Sequence, residues 1–129
     1  MVLGIDDKII DLAKVSYIEF YIGYEQKVNF YYSYNKKITL KPDEEKIKKI
    51  MEVIPEEEFY KVIVNSKYFT ISGDGFYNIF IRKDCLLEID KAKEGIIFKV
   101  NDVNISLTCD DLQYEVIVNK IYGDKVVYV

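Results

Sequence analysis

The side chains of this chain that could do chemistry are carboxylates, lysines, tyrosines and two cysteines, because its 129 residues include no histidine. Histidine is the usual acid–base group near neutral pH and the commonest metal ligand. A nucleophile would therefore need activation by a lysine or a carboxylate. Cys85 and Cys109 fall in predicted strands without the CxxC spacing of a metal or redox pair, which predicts two structural thiols. The composition favours a non-catalytic function.

Metal and phosphate sites are also not indicated. Several aspartates fall at predicted turn tips, where backbone geometry alone favours this residue. They are Asp74, Asp102, Asp110, Asp111 and Asp124. No calcium-loop spacing occurs, and Gly73-Asp74-Gly75 lacks the lysine and the strand–loop–helix setting of a phosphate loop. We therefore expect no metal site and no cofactor, and we interpret Gly73-Asp74-Gly75 as a hairpin turn.

Tyrosine provides the one positive signal of contact with another molecule. The chain has twelve tyrosines, and the residue type is enriched at protein interfaces because its ring is apolar and its hydroxyl polar. Strand alternation predicts one face that carries several of them with two polar neighbours. The predicted partner-binding residues are Tyr17, Glu19, Tyr21, Asn29 and Tyr31. The alternative is that a second layer covers this face and makes the rings part of the core.

Charge is unevenly distributed along the chain. The net charge is −4, which argues against non-specific binding to nucleic acid or to an anionic membrane. Residues 26–51 nevertheless carry seven lysines and three acids; the lysines are Lys27, Lys36, Lys37, Lys41, Lys46, Lys48 and Lys49. Arg82 is the only arginine, and arginine dominates bidentate recognition of phosphate and bases. A single-strand platform of lysines and aromatic rings stays an alternative.

The first elements that must position these residues are a helix and a meander. Apolar residues at helical spacing predict a short helix over residues 5–14. Alternation then predicts strands at residues 17–22, 28–34 and 38–40. A loop centred on Gln26 would place Ile22 opposite Phe30 and Tyr21 opposite Tyr31. The meander would have one apolar face and one face of tyrosine and polar groups.

The pattern of residues 42–65 predicts helices. Pro42-Asp43-Glu44-Glu45 is a helix start, with acids beside the positive end of the dipole. Ile47, Ile50, Met51 and Ile54 follow as an amphipathic stripe, and two i,i+4 pairs join Glu44 to Lys48 and Glu45 to Lys49. Pro55 opens a similar signal, so residues 55–65 are predicted as a second helix, with a strand as the alternative.

The sequence after Lys67 predicts strands. A two-residue turn at Asn101-Asp102 would pair Phe98 with Ile105 and Ile96 with Leu107. A second turn at Asp110-Asp111 and a third at Gly123-Asp124 would add two more strands. The predicted fold is one α+β domain over residues 1–129. It is a curved, mostly antiparallel meander of about eight or nine strands, approaching a half-barrel, packed on one or two central helices over about residues 42–65.

We therefore predict a non-catalytic protein-binding domain, such as an inhibitor, an immunity or anti-defence factor, or an accessory subunit. Its partner would be a protein with a basic surface, with no membrane and no nucleic acid expected, in the cytoplasm. The first alternative is a small-ligand cup lined by Phe20, Phe30, Ile50 and Phe98. The second is a nucleotide or single-stranded nucleic-acid binder acting through the Lys27–Lys49 region. Homodimerisation through a strand edge at residues 38–40 or 126–129 is compatible with each.

Overall fold

The structure is a computed structural model that describes residues 1–23, 25–33, 36–70 and 73–129, the side chains of 63–70 and 73–76 excepted. Within these residues the strands form three antiparallel sheets, and two α-helices pack against them. The sheets comprise β1 (Val2–Ile5) and β2 (Lys8–Asp11); β3 (Tyr17–Gly23), β4 (Lys27–Ser33), β5 (Lys36–Leu40), β6 (Phe59–Thr70) and β7 (Gly73–Arg82); and β8 (Leu86–Ala92), β9 (Gly95–Val100) and β10 (Val103–Thr108). The helices are α1 (Glu44–Val53) and α2 (Asp111–Tyr122).

The five-stranded sheet, in the order β5-β4-β3-β7-β6, is the central layer. Its middle strands are buried on both faces: Ile79, Phe80 and Ile81 are consecutive, and each is at most 1% exposed. Because successive side chains of a strand point to opposite faces, Phe80 joins one hydrophobic cluster while Ile79 and Ile81 join the other. Strands of a sheet that is covered on both faces have nearly continuous apolar sequences.

One face of the central sheet is covered by α1 and the β1–β2 hairpin. Ile47, Ile50 and Ile54 of the α1 segment pack with Phe20 and Phe30 of the sheet. The predicted helix start is confirmed: the Asp43 side chain accepts a hydrogen bond from the backbone N–H of Lys46 at 2.8 Å. Both predicted i,i+4 ion pairs of α1 form as well.

The other face is covered by the three-stranded sheet and α2. Its hydrophobic cluster includes Tyr17, Ile79 and Ile81 of the central sheet, Phe98 of β9 and Ile117 of α2. The predicted β9–β10 hairpin is confirmed, with Phe98 paired with Ile105. The molecule therefore has a layered core in place of the predicted single curved sheet or half-barrel. The four residues predicted to line a ligand cup do not meet, because Phe98 lies across the central sheet from the rest.

The predicted N-terminal helix is wrong. The segment forms the β1–β2 hairpin, followed by a 3₁₀ turn at Leu12–Lys14. Asp6 has φ of +53° in the turn, a left-handed conformation that aspartate adopts more readily than most residues. Ile9, one of the apolar residues whose spacing predicted the helix, is 78% exposed, whereas Ile10 is fully buried.

The predicted second helix over residues 55–65 is also wrong, and the strand alternative is correct. A short turn follows Pro55, and β6 begins at Phe59, which pairs with Arg82 of β7. Gly73, Asp74 and Gly75 lie in β7, paired with residues 68–70 of β6, so they are not the predicted turn. The connection at residues 71–72 lies outside the described part of the chain. Strand pairing here overrides the local turn preference of glycine.

The predicted strands after Cys109 are wrong, because residues 111–122 form α2. Asp110 caps this helix: its side chain accepts from the backbone N–H of Gln113 at 2.7 Å, and the Gln113 side chain accepts from the backbone N–H of Asp110 at 3.1 Å. This reciprocal capping box satisfies two helix-terminal donors. Residues 126–129 follow a 3₁₀ turn and pair with no strand within the described residues.

The β3–β4 hairpin has the predicted faces in a different register. Tyr17 pairs with Tyr31 and Ile18 with Phe30, a shift of four residues from the prediction. An even shift keeps every side chain on its predicted face, so the hydrophobic pattern does not distinguish the two registers. The α+β class and its antiparallel sheets are confirmed. In the part of the chain described, neither helix is long and apolar enough to cross a membrane.

Candidate functional site

The predicted residues of the tyrosine face come together around Glu19. Tyr17 lies opposite Tyr31 and Glu19 opposite Asn29 in the β3–β4 ladder, and Tyr21 follows two residues along β3. This group of five, together with Tyr77 of the neighbouring strand β7, is named the tyrosine cluster below. The sequence missed Tyr77, because nothing local indicated that β7 would pair with β3.

The Glu19 carboxylate is the centre of a hydrogen-bond network. Its Oε2 accepts from the hydroxyls of Tyr77 at 2.7 Å and Tyr21 at 3.3 Å. Its Oε1 accepts from the hydroxyl of Tyr31 and from Asn29 Nδ2, the latter at 3.2 Å. Within the described part of the chain, four donors converge on this carboxylate, and each of its oxygen atoms has two of them as partners.

Tyr17, Tyr31 and Tyr77 of the cluster are held in their neutral form. Burial raises the pKa of Tyr17 to about 12, with a further contribution from the nearby Glu19 charge. Burial, followed by the interaction with Glu19, also raises the pKa of Tyr31 and of Tyr77 well above the ordinary value. The Tyr31 and Tyr77 hydroxyls therefore serve as donors to the Glu19 carboxylate and are poorly suited to act as bases.

The tyrosine cluster lies largely between layers. Tyr17 is 6% exposed and Asn29 is 2% exposed, while Tyr21 and Tyr31 are half-buried. The Tyr17 and Tyr31 rings stack with centroids 4.2 Å apart, and Tyr21 meets the Tyr77 ring at 4.9 Å. The three-stranded sheet is the second layer that the sequence left as the alternative for this face. That the five predicted residues contact a partner stays a prediction.

Most lysines of the 26–51 segment already have an acidic partner. Lys46 Nζ forms a salt bridge with the Asp6 carboxylate at 2.5 Å, across 40 residues of sequence. Lys27 Nζ forms another with the Glu25 carboxylate at 2.8 Å. Lys48 and Lys49 are paired along α1. Exposed pairs of this kind contribute little to stability, but they reduce the positive charge that these four lysines present to a ligand.

Three lysines of the same segment remain without an ion pair among the described residues. Lys36, Lys37 and Lys41 are exposed along and just after β5, at the outer edge of the central sheet. We name this group the lysine edge. Lys37 Nζ lies 5.8 Å from the centre of the Tyr31 ring, which joins the lysine edge to the tyrosine cluster. Lys36 and Lys37 were predicted in a loop and lie instead in β5.

A cleft adjoins the lysine edge where β4 ends. Ser33, which pairs with Lys36, lines it with Ser16 and Tyr17 on one side. The turn at Asn101 and Asp102 lines the other side, and the volume is about 400 Å³. Asn101 is exposed with φ of +50°. The cleft thus places the Ser33 and Ser16 side chains and the Asp102 carboxylate near Lys36.

The remaining reactive side chains have structural roles. Arg82 donates from Nε to the Val15 carbonyl at 2.7 Å and from its guanidinium to the Leu12 carbonyl, and it lies 4.5 Å from the Phe59 ring centre. Cys109 is buried, and burial, with smaller contributions from the charges of neighbouring aspartates, raises the pKa of its thiol. Within the described residues, no three His, Cys, Asp or Glu side chains cluster closely enough to hold a metal ion.

Comparison with known proteins identifies a similar fold. No protein-family model matches the chain, and no curated protein matches it. A solved structure of a LytTr DNA-binding domain from Bacillus cereus superposes with a TM-score of 0.56, covering 95% of each chain. The fold resembles that of a LytTr domain. Sequence identity is 12%, so the similarity concerns the fold alone.

This similarity contradicts two expectations from the sequence. The main one, a protein-binding inhibitor, immunity factor or accessory subunit, is not supported by a neighbour that is a DNA-binding domain. The expectation that nucleic acid is not a partner is contradicted as well, and the nucleic-acid alternative fits better. The physical reason for the error is that a net charge of −4 averages over the chain. A ligand responds to the local field of the surface that it approaches.

Proposed function

We propose that this chain binds DNA through the lysine edge. The observation that carries the proposal is the similarity, over 95% of both chains, to a LytTr DNA-binding domain. A second observation supports the same conclusion: Lys36, Lys37 and Lys41 are exposed and have no ion pair among the described residues.

The chemistry of the lysine edge suits contacts to phosphate. A lysine ammonium is a compact charge on a flexible stem that binds phosphate as a point charge, without the fixed fork of arginine. Such contacts position a protein on DNA and carry no sequence information. Arg82 is committed to backbone carbonyls and the Phe59 ring, so it is not available for bidentate contacts to guanine. The polar side chains of the adjoining cleft, which include the Asp102 carboxylate, are the candidates for contacts to base edges.

The state of the aromatic rings favours double-stranded over single-stranded DNA. Single-strand platforms present open ring faces on which bases stack. In the tyrosine cluster, Tyr17 and Tyr31 stack on each other, and Lys37 lies over the Tyr31 ring. Rings already in contact leave little surface for bases, so binding depends on charge at the edge of the sheet.

The proposal is tested by the salt dependence of duplex binding. Fluorescence anisotropy would follow a labelled 30-base-pair duplex and the matching single strand between 50 and 200 mM salt. Each lysine that contacts a phosphate adds about 0.9 to the slope of log K against log salt. The double variant Lys36→Gln/Lys41→Gln should therefore lower the magnitude of the slope by about 1.8 and weaken binding to duplexes of any sequence.

A matched control removes the same charge elsewhere. Lys93 and Lys125 are exposed, lie outside the 26–51 segment and have no ion pair among the described residues. The variant Lys93→Gln/Lys125→Gln should retain the slope of the unmodified chain. No duplex binding at 50 mM salt, or an equal loss in the two variants, would contradict the proposal. Tighter binding of the single strand would replace it with the stacking alternative.

A further inference from the structure

A second basic site lies at the opposite edge of the central sheet. A cavity of about 310 Å³ opens where β6 begins, between that strand, the end of β7 and the last turns of α2. Among the described residues that line it are three lysines, Lys61, Lys83 and Lys120, and one carboxylate, Glu56. Phe59, Tyr60 and Ile121 form an apolar wall. Such a volume is at the lower end of the range of small-molecule pockets.

The lysines of this cavity are positioned by neutral groups. Lys120 Nζ donates to the Lys61 carbonyl at 3.0 Å, and Lys61 Nζ donates to the Met51 carbonyl at 2.9 Å. Lys83 Nζ lies 5.2 Å from the centre of the Tyr60 ring. In the part of the chain described, none of the three lysines has a carboxylate within ion-pair distance.

Their charge is therefore not neutralised by an ion pair within the described residues. A lysine ammonium has three N–H donors, and one carbonyl contact occupies one of them. Lys61 is directed toward the last carbonyls of α1, where it stabilises the negative end of the helix dipole. Lys83 and Lys120 are the groups with donors to offer a ligand. An anion entering the cavity would meet these two ammonium groups, because the Lys61 ammonium lies on the other face of the sheet, 5.3 Å from the centre of the Phe80 ring.

The donors of the cavity suit an anion with several acceptor oxygens. Lys83 and Lys120 outweigh Glu56 among the described lining residues, so the cavity favours an anion. A phosphate monoester carries about −1.5 to −2 near pH 7 and offers three acceptor oxygens. The apolar wall of Tyr60 and Ile121 suits the carbon-bearing part of such a molecule.

We propose that this cavity binds a small phosphorylated molecule, with its phosphoryl group on Lys83 and Lys120 and its carbon skeleton on Tyr60 and Ile121. The site is separate from the proposed DNA surface. In the sheet order β5-β4-β3-β7-β6 the two edges are four strand spacings apart, or about 19 Å at about 4.8 Å each. The proposal therefore does not depend on DNA binding.

The test is an NMR titration of the ¹⁵N-labelled full chain with inorganic phosphate, adenosine 5′-monophosphate and adenosine. Saturable shifts of the Lys61, Lys83 and Lys120 amides are expected with both phosphates and not with adenosine. The monophosphate should bind more tightly than inorganic phosphate, because only it contacts the apolar wall. Non-saturating shifts, or shifts at exposed lysines throughout the chain, would overturn the proposal.

Variants of the lining residues test which side chains form the site. Lys83→Gln and Lys83→Gln/Lys120→Gln should weaken binding of the monophosphate by at least about tenfold, and Glu56→Gln should strengthen it; the same spectra report whether each variant is folded. Lys93→Gln, at the turn between β8 and β9, is the control and should bind as the unmodified chain does. Unchanged affinity in the folded Lys83→Gln variant would refute the assignment.

Duplex DNA added in a separate titration should leave the cavity amides unshifted. If the duplex shifts them and the small phosphates do not, the cavity belongs to the DNA surface and the proposal is wrong.

Discussion

Replacing Glu19 with alanine should destabilise the fold, because the Glu19 carboxylate accepts four hydrogen bonds in the tyrosine cluster. A hydrogen bond to a charged group contributes about 1.5–3 kcal/mol. Two donors, from Asn29 and Tyr77, belong to residues that are 2% and 8% exposed. These two bonds together correspond to about 3–6 kcal/mol. The variant also removes a partly desolvated carboxylate, which offsets part of the loss, so we expect about 3 kcal/mol.

Urea unfolding followed by circular dichroism measures this loss. With a slope of about 1–3 kcal/mol per molar urea, a loss of about 3 kcal/mol lowers the midpoint by about 1–3 M. Glu19→Gln keeps one acceptor oxygen and should fall between alanine and the unmodified chain. Glu115→Ala is the matched control, because Glu115 is exposed on α2 and such changes alter stability by about 0.5 kcal/mol or less. A Glu19→Ala midpoint equal to that of the control would refute the network as a source of stability.

Three further predictions concern other parts of the fold. Tyr17, whose pKa is raised to about 12 from an ordinary 10.0, contributes stability that is complete below pH 10 and is lost as the pH rises from 10 to 12, at about 1.4 kcal/mol per pH unit. Unfolding midpoints across this interval check it, and Tyr17→Phe should lessen the decline. Asp110→Ala removes the side-chain cap of α2 and should cost about 0.5–2 kcal/mol in thermal melts; an unchanged melting temperature would contradict the cap. Gly95→Ala would place a Cβ 2.2 Å from the Leu107 carbonyl oxygen. The resulting displacement of β10 should lower the free energy of unfolding by at least about 1–3 kcal/mol. A loss within experimental error would mean that β10 can shift at little cost.

Elements with a strong local pattern were predictable. The stripe from Ile47 to Ile54 and the start at Asp43 predicted α1, and the β9–β10 turn at Asn101-Asp102 set its register. The segment after Cys109 shows the opposite case. Its residues alternate as a strand would, and the Asp110-to-Gln113 spacing of a capping box was the overlooked helix signal.

Only part of the candidate site was predictable. The lysine-rich segment and the i,i+4 pairs of α1 follow from spacing along a helix. The lysine edge was not predictable from spacing. Which lysines stay unpaired depends in part on the ion pair of Lys46 with Asp6, which joins residues 40 apart and requires the β1–β2 hairpin to pack near α1. The cavity at Lys83 and Lys120 likewise forms from elements distant in sequence.

The amino-acid sequence determined which sides of β9 and β10 face a core, and for the β3–β4 hairpin it did so even though the register was wrong by four residues. Side-chain direction repeats every two residues, so alternation is a local property. Whether a polar face is open is not local. The three-stranded sheet places Tyr17 in a second core. The ion pair of Lys46 with Asp6 joins residues 40 apart, and together with three local pairs it leaves Lys36, Lys37 and Lys41 without an ion pair among the described residues. Burial and charge pairing depend on long-range packing, and only the tertiary structure decided them.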